Sequence, residues 1–134
     1  MYKITAIGNV TADPTLNARE WTNKETGEII KANVCNFSIG ANEGYGARQT
    51  KMFFRLNAWR GLADLCKKYL SKGRQVYVEG VPSINNYVDK TNTLRSAVEI
   101  RVERVEFLQD GKRITATEEG STEEPADFEE EALY

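Results

Sequence analysis

With 134 residues, 40% hydrophobic and 28% charged, the chain holds enough apolar material for one ordinary domain with a single core and a tail. Histidine is absent, which removes the commonest general base and the commonest nitrogen ligand for metals and sets enzyme and metal-site readings aside. The net charge of −2 conceals a division, because residues 1–108 carry 16 Lys and Arg against 11 Asp and Glu, whereas residues 109–134 carry 2 against 9.

A basic body can recruit a polyanion, and an acidic tail can compete with that ligand, dock on a basic partner, or simply solvate the chain end. No apolar run reaches the length of a membrane span, and MYKITAIGNV lacks the basic-then-apolar pattern of a signal peptide. The expectation is a soluble, cytoplasmic protein. Cys35 and Cys66 stand apart in apolar surroundings rather than in a CxxC pair. They read as buried free thiols, with a disulfide between them as the other possibility.

Tyr2 to Val10 alternates and reads as a first strand, in which Gly8 marks a bulge or a close backbone approach. Thr11 to Pro14, TADP, is a turn. Leu16 to Ile30 is polar, with a turn signal at Thr26 and Gly27; it adds Arg19 and Lys24 to the basic side, and its Trp21 is either exposed or a satellite contact over the core. Asn33 to Ala41 is a second strand with Cys35, Phe37 and Ile39 on a core face. Asn42 to Thr50 is a flexible connection whose one aromatic, Tyr45, has little core to join and reads as a contact residue.

Lys51 to Leu70, KMFFRLNAWRGLADLCKKYL, is the most informative stretch. Period two puts Phe54, Leu56 and Ala58 on one side, as core, and Phe53, Arg55, Asn57 and Trp59 on the other. Aromatics flanking an arginine and an asparagine suit a surface that meets flat, negatively charged molecules, as bases and phosphates do; cover by another sheet or subunit is the alternative. The chain breaks at Arg60 and Gly61. A short helix follows, with Leu62, Leu65, Cys66, Tyr69 and Leu70 as its apolar stripe, Lys67, Lys68 and Lys72 near its end, and Gly73 as its stop.

Gln75 to Gly80 is a third clear strand. Pro82 to Asn92 reads as polar and turn-rich, with Tyr87 its only aromatic. Leu94 to Leu108 alternates again, but Val98, Ile100 and Val102 differ in parity from Val105 and Phe107, which predicts a bulge near Arg104. Beyond Gln109 the hydrophobic pattern ends. The acidic cluster from Glu123 to Glu131 lies in a segment too polar to form a rigid metal site. Three strands, one helix and two or three more strands fit a five-stranded Greek-key barrel of the OB type with its helix between the third and fourth strands; an SH3-like barrel or a sandwich would share the pattern.

The segments IGNVTADP (Ile7 to Pro14), NFSIGAN (Asn36 to Asn42), AWRGLADLCKKYLSKG (Ala58 to Gly73), VYVEG (Val76 to Gly80) and VERVEFL (Val102 to Leu108), in this order, resemble the bacterial single-stranded DNA-binding proteins. The resemblance implies an OB-fold domain over residues 1–108, usually a homotetramer, that takes part in DNA replication, recombination and repair without catalysis or cofactor. It places the family's stacking aromatics on Tyr45, Phe53, Trp59 and Tyr87, with Arg48, Lys51, Arg55, Arg60 and Arg74 as basic neighbours. It also implies a flexible acidic tail over residues 109–134 whose end, Asp127, Phe128, Glu129, Glu130, Glu131, Leu133 and Tyr134, serves as bait for replication and repair proteins. That end departs from the family, closing in Tyr134 where phenylalanine is usual, with Ala132 and Leu133 in place of an Ile-Pro type of pair. The polar stretch from Ala18 to Lys31 is a second departure. Two other functions fit the barrel: an adaptor of replication restart working through protein partners, and an RNA-binding OB protein.

Overall fold

The computed structural model describes residues 1–109, 112–117 and 124–127. Among them are eight strands, β1 (Ile4–Val10), β2 (Thr15–Thr22), β3 (Ile29–Glu43), β4 (Thr50–Trp59), β5 (Gln75–Val88), β6 (Leu94–Gln109), β7 (Lys112–Thr117) and β8 (Glu124–Asp127), and one α-helix, α1 (Gly61–Tyr69). Five strands close on themselves. β1 pairs with β3, β3 with β4, β4 with β6, β6 with β5, and β5 with β1, only the β4–β6 step being parallel. With α1 between the third and fourth members of this ring, the architecture is the OB-fold barrel that the pattern suggested.

The inward faces follow the alternation. Cys35, Phe37 and Ile39 from β3, Phe54, Leu56 and Ala58 from β4, and Val76 and Val78 from β5 are all buried. Leu62, Ala63 and Cys66 plug the barrel from α1. The parity change in β6 is a bulge: Glu79 pairs with Arg104 but Gly80 with Val102, so Glu103 is the extra residue that turns both Ile100 and Val105 inward. Gly8 is a close approach, since a Cβ there would stand 2.6 Å from the Gly40 carbonyl oxygen.

Four local readings change. The polar stretch after Pro14 is a hairpin, β2 pairing with β3 from Thr15↔Asn36 to Thr22↔Ile29, although every β2 residue is exposed. Its ladder rests on backbone hydrogen bonds, which leave no mark in hydrophobic period. Residues Pro82 to Val88 extend β5 rather than forming a turn, and the turn itself is confined to Asp89–Thr93. Pro82 is tolerated because Gly80 is the last β5 residue paired with β1, so the missing N–H falls where the strand has become an edge. Gly73 does not stop α1: the helix ends at Tyr69 with the Leu70 N–H on the Cys66 carbonyl, and Gly73, at φ +91°, turns the chain into β5 while donating to the Val10 carbonyl at 2.7 Å. Beyond Gln109 the sheet continues, because β7 pairs with β6 and Ala116 is fully buried. One small residue is too weak a pattern to read as a strand. Of the tail, Glu124–Asp127 pairs with β7, and Phe128 to Tyr134 lie outside the described residues.

Cys35 and Cys66 are free and buried. Burial pushes the Cys35 thiol from its ordinary 9.0 up to about 11, against the pull of nearby Lys67, and pushes Cys66 up as well. Neither thiol is expected to react with a disulfide reagent at mildly alkaline pH until denaturant is added; labelling of the native protein would contradict this packing. Because the folded chain holds protons that the unfolded chain has released, stability should fall as pH rises from 9 through about 11.

Candidate nucleic-acid interface

The outer face of β4 is built by its pairing on both sides. On one side Phe53 lies opposite Gly40 of β3, and a Cβ on Gly40 would come within 2.8 Å of the Lys51 Cε and 3.2 Å of the Phe53 ring. The absence of that atom lets both side chains lie down over β3. Phe53 remains 60% exposed, with the Lys51 ammonium 5.3 Å from its ring centroid. On the other side β6 runs parallel to β4 from Phe54↔Val98 to Asn57↔Arg101, which carries the β5–β6 hairpin alongside. Tyr87, paired with Arg95 in that hairpin, thereby comes under Arg55, whose guanidinium carbon sits 4.6 Å from the ring centroid.

Phe53, Arg55 and Tyr87 border a shallow cleft of about 420 Å³ floored by Ser38 and Ser96. A second cleft of about 300 Å³, sharing Thr11, Ser38 and Arg55, continues it past Asn36 and Asn57. Two carboxylates border this second cleft, and each has a partner: Asp13 accepts the Lys72 N–H at 2.9 Å, and Glu99 accepts from Asn85 at 3.2 Å.

Arg60 occupies an unusual backbone position, φ 60° and ψ −129°, where glycine is the favoured residue. It is held there by its N–H on the Asn33 carbonyl at 2.8 Å, while its own carbonyl accepts the Ala63 and Asp64 N–H groups that open α1. Replacing Arg60 with glycine is expected to raise stability by about 1 kcal/mol, since strain of this kind costs roughly 1–3 kcal/mol and the extra freedom of the unfolded glycine takes back part of the gain. Thermal melting checks this prediction, and a lowered midpoint would contradict it.

The structure brings Phe53, Lys51, Arg55 and Tyr87 together. Trp59 and Arg60 lie at the other end of β4, six residues from Phe53, about 20 Å at strand rise. Tyr45 is 92% exposed at the tip of the β3–β4 connection, next to a 3-10 turn, Gly46–Arg48, that carries Arg48. Arg74 stands apart, in the connection from α1 to β5, with its Nε on Ser71 Oγ at 3.4 Å. Trp21 is exposed, and its contact is not with the core but with Trp59, which it meets edge to face, ring centroids 6.0 Å apart. Arg101 of β6 joins that end of the face. Its alternation with Ile100 and Val102 is the only signal the sequence carries for it.

Among the described residues no group of three or more His, Cys, Asp or Glu is placed to hold a metal ion, and no helix is long and apolar enough to cross a membrane. A closed five-strand barrel that displays rings and cations on one outer strand defines an OB-fold of the kind built to accept extended, unpaired polyanions. The sequence model of the single-strand binding protein family matches residues 1–108, and the chain belongs to that family. Among relatives, a single-stranded DNA-binding protein of Onion yellows phytoplasma is 32% identical over 108 residues, covering 81% of this chain and 94% of the relative. The mitochondrial single-stranded DNA-binding protein of Bos taurus is 31% identical over 114 residues, covering 82% and 76%. Single-stranded DNA-binding protein 1 of Chlorobaculum tepidum is 34% identical over 106 residues, covering 75% and 60%.

Proposed function

We propose that this protein binds and coats single-stranded DNA with little sequence preference, serving replication, recombination and repair in the cytosol as a homotetramer without catalytic chemistry. The observation that carries the reading is the outer face of β4, where Phe53 is exposed beside Lys51 and Arg55, and where Trp59, half-buried against Trp21, still lines an open cleft with Arg60 just past the strand end. Bases stack on Phe53, Trp59, Tyr87 and Tyr45, and every base offers a π face, so the mode tolerates any sequence. Arg55, which covers Tyr87 in the free protein, turns to a phosphate as a base takes its place. Arg48, Lys51, Arg60 and Arg74 supply further phosphate neutralisation and release counterions. The acidic end from Asp127 to Tyr134 recruits basic surfaces on replication and repair proteins.

Titration with oligo-dT at two salt concentrations, followed by intrinsic fluorescence, tests the core of this reading. Strong quenching is expected, weaker at higher salt and absent with duplex DNA. With five cations engaged, log K should fall against log salt with a slope of about −3.5, at roughly 0.7 per contact on a single strand. A flat titration would sink the proposal, and tighter binding to a matched RNA would redirect it to RNA. Arg60→Gly should reduce the slope by about 0.7.

A further inference from the structure

No residue of β2 belongs to the hydrophobic core. All of β2 is exposed, so neither of its faces contributes to the core. What it does accomplish is to hold Trp21 against Trp59 at the end of the β4 face. The two indoles meet at 86°, an arrangement that uses the edge of one ring and a face of the other and leaves indole surface open. Trp21 is 40% exposed, a high value for so large an apolar ring. Between the rings and two arginines, Arg60 and Arg101, lies an open cleft of about 620 Å³, lined among the described residues by those four.

We propose that Trp21, Trp59, Arg60 and Arg101 form a further subsite for a single strand, in which an unstacked base lies against the indoles and its flanking phosphates meet the two guanidinium groups. This rests on the single-strand reading above and extends it: the strand does not leave the protein at Trp59 but continues onto the β2–β3 hairpin. The chemistry favours a base over an apolar peptide side chain, because two arginines flanking a pair of π faces match an anion repeated on either side of a flat ring. The hairpin thus lengthens the occluded track by carrying one more stacking ring beyond the barrel.

The chain has two tryptophans, Trp21 and Trp59, so Trp59→Phe leaves Trp21 as the sole fluorescent indole. Binding of fluorophore-labelled oligo-dT to this variant is followed by anisotropy while Trp21 emission is recorded. Quenching of Trp21 in step with binding is expected. Independently, in the full chain, Trp21→Ala should weaken binding of a long oligo-dT by about 5- to 100-fold, and Trp21→Phe should restore most of the loss. The loss should exceed that for an oligomer too short to reach from Phe53 to the hairpin, and melting of each variant confirms that the barrel is intact. Binding without Trp21 quenching, or equal losses at all lengths, would overturn the subsite and leave the β4 reading standing. Failure of the unaltered protein to bind oligo-dT would remove both.

Discussion

Replacing Phe53 and Trp59 together by alanine is expected to lower the affinity for oligo-dT by about 2–6 kcal/mol, at roughly 1–3 kcal/mol for each stacked base. The two rings are about 20 Å apart along β4 at strand rise, far enough for their losses to add. Stability should change much less. Phe53 is largely exposed, and half-buried Trp59 gives up part of its burial together with its edge-to-face contact with Trp21, the contact itself worth about 0.5–1.5 kcal/mol beyond the area covered. Fluorescence anisotropy with labelled oligo-dT and thermal melting measure the two quantities separately. If binding survives the double substitution while the barrel melts as before, the face is not a stacking platform, and the adaptor alternative gains.

Gly80→Ala produces the largest loss of stability expected from so small a change. Gly80 is buried between Ile4 of β1 and Val102 of β6, beside the bulge at Glu103. A Cβ there would stand 2.2 Å from the Arg101 carbonyl oxygen and 2.7 Å from the Ile100 Cγ2. A flexible side chain could move aside, but a carbonyl in the β5–β6 ladder cannot do so without opening the pairing that closes the barrel. Overpacking of this sort costs about 1–3 kcal/mol and sometimes more. Placed against backbone, it should reach the upper end and lower the melting midpoint by about 10–20 °C. Gly27→Ala is the control. Nothing lies within 4 Å of its added Cβ, so only the left-handed backbone at φ +74° opposes it, at about 1–2 kcal/mol. Equal melting of the two variants would show that the close approach at Gly80 is not what holds β5 to β6.

How far the fold was legible depends on what each element buries. Phe54, Leu56 and Ala58 alternate because one face of β4 is core, and the same alternation exposed the unusual character of Phe53, Arg55 and Trp59. The parity change between Val102 and Val105 located the bulge to within one residue. β2 escaped because neither of its faces is apolar, and β7 because its only described core side chain is that of Ala116. Pro82 suggested a turn, although an edge of the sheet accepts it.

The candidate site divides in the same way. From sequence alone came the single basic domain, the acidic end, the two faces of β4, the break at Arg60 and the identity of the rings without a core role. Local period and charge depend only on neighbours along the chain, so such features can be read from it. Tertiary structure decided that β4 and β6 pair in parallel, which brings Tyr87 beneath Arg55, and that the polar hairpin reaches over to set Trp21 against Trp59. Those contacts join residues 32 and 38 positions apart. They arise from closure of the barrel around its core, which no window of sequence contains.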